Sequence, residues 1–164
     1  MYTSINTPQA NPLQKRIGDA YLKLQLDSTT TAVLSMEYAQ EVLVVPIGGI
    51  TPIPRMPTCV WGLINRRNKL LWTIDLAQML GRQPLEAKAQ QHNVAILRTG
   101  NILVAVVVEA VKGVARFPKE SIQSPIGTVD ASLTPYLRGC ILDQREILLV
   151  LDVDAIAHSP ILQR

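Results

Sequence analysis

The sequence predicts an all-β protein made of two small barrels, each of about five short strands, packed side by side. Three observations carry that prediction. Short apolar runs recur along the chain, separated by turn residues. The second half repeats the spacing of the first. The chain is also apolar for its length, with 48% hydrophobic and 18% charged residues among 164, where about 25% charge is usual. One barrel of some 65 residues buries only about 60% of its unfolded surface and is marginal alone. Two such cores and a shared apolar seam accommodate the excess.

Residues 1 to about 18 are polar, contain Pro8 and Pro12, and read as a flexible lead. Leu22, Leu24 and Leu26 alternate with Lys23 and Gln25, the pattern of a half-buried strand. Asp27-Ser28-Thr29 supplies turn chemistry before a return strand over Ala32 to Met36. Pro46, Pro52, Pro54 and Pro57 exclude a long helix and read as a crossover. Gly62 to Arg66 and Lys69 to Ile74 form a hairpin with Arg67-Asn68 near its tip, followed by a helical turn capped by Asp75 and stopped at Gly81. Arg82 to His92 is polar and without period, a linker. A hairpin over 93–98 and 102–108 follows, turning at Thr99-Gly100-Asn101. A Pro-, Ser- and Gly-containing loop spans Phe117 to Thr134. A last hairpin covers 136–142 and 146–151, with Asp152 or Asp154 capping a short closing helix to Ala157.

The repeat organises these pieces. A shift of 77 residues lays Gly62-Leu63-Ile64 on Gly139-Cys140-Ile141, and Leu70 to Asp75 on Ile147 to Asp152. A shift of 72 lays Glu37, Val42 and Pro46 on Glu109, Val114 and Pro118. Each copy is then a hairpin, a Pro-bearing crossover, a second hairpin and a capping turn. The expected division is a lead over 1–18, a first barrel over 19–84, a linker over 85–92, a second barrel over 93–158 and a tail over 159–164.

Catalytic constellations are missing from this inventory. His92 and His158, the two histidines, have no ligand at metal spacing and read as surface residues of linker and terminus. There is no GxSxG elbow, no GxGxxG and no phosphate loop. Gly48-Gly49 reads as a bend, and Cys59 and Cys140 as small buried apolar residues. No apolar run reaches the ~18 residues of a membrane span. With no signal peptide and no CxxC, the expected compartment is the cytoplasm. No catalytic residue, metal or cofactor is expected. The net charge of +3 is too small to imply a polyanion partner. The basic tip Arg66-Arg67-Lys69 is the one charge cluster, and a small-barrel nucleic-acid binder using it is the alternative reading. Glu41 lies in the apolar segment 38–43, where an unpaired carboxylate is costly, and a bidentate pair with Arg67 across the barrel is expected to satisfy both.

At these residues the chain resembles the CheW family of chemotaxis coupling proteins. Pro57 to Leu76 is similar to the family signature: a Pro, a short turn, Gly-Val-x-Asn-Leu-Arg-Gly, an apolar strand and Asp-Leu. Ala39-Gln40-Glu41-Val42 resembles the Val-Gln-Glu-Ile segment, and Tyr136-Leu137-Arg138-Gly139 with the strand to Asp152 resembles the closing hairpin. The resemblance runs from about Tyr21 to Ala157. It implies two SH3-like five-stranded barrels and no catalytic activity. It implies binding to the regulatory domain of a CheA-type histidine kinase and to the cytoplasmic tip of methyl-accepting chemoreceptors, and recruitment to membrane-associated receptor arrays without insertion. No nucleic acid is then a partner. Arg67 takes the signature Arg and Glu41 its Glu, while Gly62 and Asn65 take the Gly and Asn. With Trp61 and Arg66 beside them, these six make the expected partner-binding set. Arg66 stands where the family has Leu, and Asn68 where it has the turn Gly. Asn tolerates positive φ, so the hairpin survives. Arg66 adds charge to a contact region and points to a divergent paralogue, for pilus-based motility or phototaxis.

Overall fold

A computed structural model describes residues 18–124 and 130–162. Ten strands form two sheets: β1 (Asp19–Asp27), β2 (Thr30–Ser35), β3 (Ala39–Pro46), β4 (Val60–Arg66), β5 (Lys69–Asp75), β6 (Gln91–Thr99), β7 (Ile102–Val108), β8 (Ala110–Phe117), β9 (Leu137–Asp143) and β10 (Glu146–Leu151). Two short helices, α1 (Leu76–Met79) and α2 (Val153–Ala157), follow β5 and β10. One sheet has the order β8-β1-β2-β10-β9 and the other β3-β6-β7-β5-β4. The mainly-β prediction with two five-stranded units holds. The expected lead over 1–18 lies outside the described residues except for Gly18, as do the last two residues of the tail.

The division into consecutive halves does not describe the sheets. Units 19–84 and 93–158 exchange hairpins. β1-β2 joins β8, β9 and β10, while β6-β7 joins β3, β4 and β5. The inter-unit seams are parallel pairs, β10 on β2 and β5 on β7. Alternation along a strand reveals which face is buried but not which neighbour it pairs with, so the exchange was invisible in the sequence. β3 and β8, read as crossovers, are strands too. Pro46 ends β3 and Pro118 lies just past β8, so each proline closes a strand rather than interrupting it.

The repeat is real in three dimensions. β3 lies on β8 by the 72-residue shift, and β4-β5-α1 on β9-β10-α2 by the 77-residue shift. Past each edge strand the chain turns once and bridges back to the opposite edge, Thr51 to Leu63 in one sheet and Gln123 to Cys140 in the other. That joins first and last strands and closes each sheet into a barrel, hiding its edges. At Gly62, with φ 140°, a Cβ would lie 2.0 Å from the Thr51 carbonyl oxygen; at Gly139 it would lie 2.4 Å from that of Gln123. Only glycine lets the bridging backbone come so close.

Three apolar clusters result. Val45, Ile64, Leu71, Val94, Ile96 and Val107 fill one barrel. Tyr21, Val33, Phe117, Ile141, Leu148 and Val150 fill the other. The largest cluster is the seam, where Leu22, Leu24, Leu26 and Leu34 meet Ala95, Leu97, Val104 and Val106 under both helices. β7 is therefore buried on two faces, which is why Ile102 to Val108 reads as one apolar run. Asp75 and Asp152 cap the helices through the amides of Gln78 and Ala155, each at 3.1 Å. The second Asp75 oxygen accepts from the Leu85 amide at 2.8 Å and so pins the start of the linker. Cys59 and Cys140 are buried as expected.

Candidate functional site

Along β3 the residues 39, 41, 43 and 45 point into the barrel and 42 and 44 point out. Glu41 thus faces the barrel mouth. Arg66 ends β4 on the same inward row as Ile64 and reaches across the closure. Its Nε donates to Glu41 Oε1 at 3.1 Å, and its second nitrogen donates to Oε2, a bidentate pair. The hydrogen bonds from Arg66 hold the Glu41 carboxyl below its ordinary range despite partial burial, with Arg67 adding to the effect.

This corrects the expected pairing. Arg67 approaches the same carboxylate only to 3.7 Å and is 76% exposed, against 38% for Arg66. The strand pleat explains it. Arg66 is still on β4, whereas Arg67 and Asn68 occupy the turn with φ 55° and 65°. Positive φ at both central residues is a tight type I′ turn, and it swings Arg67 off the inward row. Asn68 fills the turn position without glycine, as expected.

The six candidate residues do not form one cluster. Glu41, Arg66 and Arg67 meet at the hairpin end, with exposed Asn65 beside them. Trp61 and Gly62 sit toward the other end of β4, about 17 Å and about 13 Å along the strand from Arg66 at ~3.3 Å per residue. Gly62 serves the barrel closure. Trp61 packs edge-on against His92, with ring centroids 4.9 Å apart. His92 is therefore not a surface linker residue: it is buried inside β6, opposite Val45. The linker ends earlier, because β6 begins at Gln91.

Two features escaped the sequence. Leu70 is 67% exposed, and Val42, Val44 and Ile47 are about half exposed. The outward placement of Val42, Val44 and Leu70 follows from the alternation of β3 and β5, whereas Ile47 lies in the turn just past β3; alternation alone did not show that these outward positions face no partner strand or helix. The other feature is a groove of about 950 Å³ at the crossing from β2 to β3. Tyr21, Met36, Tyr38 and Ile122 line it, together with Lys119, Arg138, Asp19 and Glu37. Arg138 lies 3.9 Å from Asp152 and 3.8 Å from Asp154. Among the described residues no three His, Cys, Asp or Glu side chains converge as metal ligands. Among the described residues no helix is long and apolar enough to cross a membrane.

Closed paired barrels, a buried seam, solvent-facing apolar strands and a charged mouth define a protein of interaction surfaces. Residues 21–160 match the model of the CheW-like domain, and the chain belongs to that family. It is 27% identical to the protein PilI of Pseudomonas aeruginosa over 66% of this chain, and spans 60% of that protein's length. It is 26% identical to the chemotaxis protein CheW of Thermotoga maritima, over 71% of this chain and 75% of that one. The crystal structure of the scaffolding protein TtCheW from Thermoanaerobacter tengcongensis superposes with a TM-score of 0.70, covering 82% of this chain and 89% of that one at 22% identity. That likeness establishes the two-barrel fold.

Proposed function

We propose that this chain is a non-catalytic adaptor that couples methyl-accepting chemoreceptors to a CheA-type histidine kinase in a chemotaxis, phototaxis or pilus-motility system. The observation that carries the reading is the family match across both barrels, residues 21–160. The PilI similarity supports a chemosensory system for pili as readily as one for flagella. An adaptor must present at least two surfaces and couple them energetically, typically by 1–3 kcal/mol. The Arg67–Leu70 tip and the groove beside Arg138 are two such surfaces, and the seam links the barrels that carry them. The protein would work in the cytoplasm, recruited to receptor arrays, without a cofactor. The test is binding of the purified chain to the kinase regulatory domain and to the receptor tip encoded in its own genome. Measurable affinity for each, and a change in kinase output when both are present, is the expected result. Affinity for neither defeats the reading.

A further inference from the structure

We infer that Arg67, Lys69 and Leu70 form a docking tip for a partner segment that sets a carboxylate beside an apolar side chain, and that Arg66 is the positioning residue that keeps Arg67 available. This rests on the adaptor reading above, because it takes the occupant to be a protein. Arg66 binds both oxygens of Glu41, leaving Arg67 as a looser second partner of that carboxylate at 3.7 Å and largely in solvent. Lys69 is exposed and makes no ion pair among the described residues. Leu70 is the most exposed large apolar side chain described. Two arginines therefore share one carboxylate, Arg66 holding it closely and Arg67 more loosely, and Lys69 adds a third cation beside them. The imbalance belongs to this tip: in the other barrel the equivalent turn, Gln144-Arg145, has the same positive φ but is flanked by Asp143 and Glu146. A two-residue type I′ turn is short and stiff, so it presents Arg67 with little ordering cost. The complement of a loosely held arginine and an unpaired lysine around an exposed leucine is an acidic segment with an apolar anchor.

The arrangement has a signature that an ordinary contact lacks. With Arg66 removed, Arg67 is the cation nearest Glu41 and is recaptured by it. Arg66→Ala should then weaken partner binding although Arg66 touches no partner. Adding Glu41→Gln to Arg66→Ala should release Arg67 and restore binding. The experiment is calorimetric titration of the full chain and its variants against the receptor-tip fragment and the kinase regulatory domain, at low and high salt. Thermal unfolding of each variant confirms the fold. Arg67→Ala is expected to weaken one of the two complexes about tenfold and to flatten its salt dependence. Arg66→Ala should weaken the same complex, and the Arg66→Ala/Glu41→Gln double variant should recover most of the loss. Unchanged affinity of Arg67→Ala, with the wild type binding normally, overturns this inference and leaves the adaptor reading standing. A double variant no better than Arg66→Ala overturns the positioning role. Wild-type protein that binds neither partner defeats the adaptor reading, and this inference with it. Self-association in sedimentation that disappears in Arg67→Glu makes a second copy the occupant and overturns the assignment. Arg67-dependent binding to duplex DNA would overturn it likewise.

Discussion

The two barrels share one strand plan and repeat some outward apolar residues, Val42 with Val114 and Leu70 with Ile147, yet the charged groups at their mouths differ. At the first mouth, Glu41 of β3 pairs with Arg66 of β4. The equivalents of these residues in the second barrel are Gly113 and Asp143, so that pair cannot form there. Instead Lys23 of β1 meets Glu146 of β10 at 3.4 Å, and Thr31 donates to the same carboxylate at 2.8 Å. Trp61 is half-buried and packs on the buried His92 in the first barrel, whereas its equivalent, Arg138, lines an open groove in the second. The turns, glycines, caps and closures that build the fold are duplicated. The mouths and rims are not. Duplication gave the chain two copies of a stable frame, and divergence was confined to side chains that the frame does not need.

The frame's common element is the seam, and breaking it should erase the distinction between barrels. Leu97 on β6 is fully buried in the seam cluster with residues of both sheets. Leu97→Ala should cost about 3 kcal/mol, within the usual range for a buried leucine truncated in a core. Because each sheet contains strands from both units, the loss should appear as a single cooperative urea transition at lower denaturant. Two separated transitions would show that the barrels unfold independently and that the exchanged hairpins do not couple them.

The sequence revealed the faces of the strands but not their partners. The half-buried alternation of Leu22, Leu24 and Leu26, the capping Asp75 and the Gly62/Gly139 correspondence were all legible, because each is set by local chemistry. The hairpin exchange was not, since the same apolar residues would satisfy either neighbour. The Glu41 pair was half legible. An isolated carboxylate in an apolar segment demanded a cation, and two adjacent arginines were available. Which one answers depends on whether β4 ends at residue 66 or 67, and boundaries are the least readable part of a strand. His92 was misplaced for the same reason, since polar Gln90-Gln91-His92 hides the start of β6.

A sharper contrast comes from the two closure glycines. At Gly62 the added Cβ would meet backbone at 2.0 Å, with further backbone atoms at 2.7 and 2.9 Å. At Gly139 the nearest atom is at 2.4 Å, and the next is the end of the Ile122 side chain, which can move. Both alanine variants should destabilise, Gly62→Ala by about 2–3 kcal/mol and Gly139→Ala by less, on the scale of locally strained backbone. Chemical denaturation of the two variants side by side measures the difference. Equal losses would mean that the second closure is as rigid as the first.

The smallest expected difference separates the two capping aspartates, and it appears as a slope rather than a loss. Asp75 is fully buried and Asp152 is not. Burial pushes the Asp75 carboxyl above its ordinary value, although amide hydrogen bonds from Leu85 and Gln78 oppose the shift. The sign follows from linkage. A group whose folded pKa is raised binds its proton more tightly in the native state. Its stabilising effect is complete below the unfolded pKa and is lost as pH climbs through the folded one. Glu41 and Glu146 act oppositely. Their lowered values, set by Arg66 and by the Thr31 hydroxyl respectively, add stability above the ordinary carboxylate range and lose it on acidification. Asp75→Asn removes the titration while keeping one acceptor. Its stability relative to wild type should therefore improve as pH rises from about 4 toward neutrality, where wild type carries the buried charge. Parallel profiles for Asp75→Asn and wild type would mean that the amides of Gln78 and Leu85 fully compensate the burial.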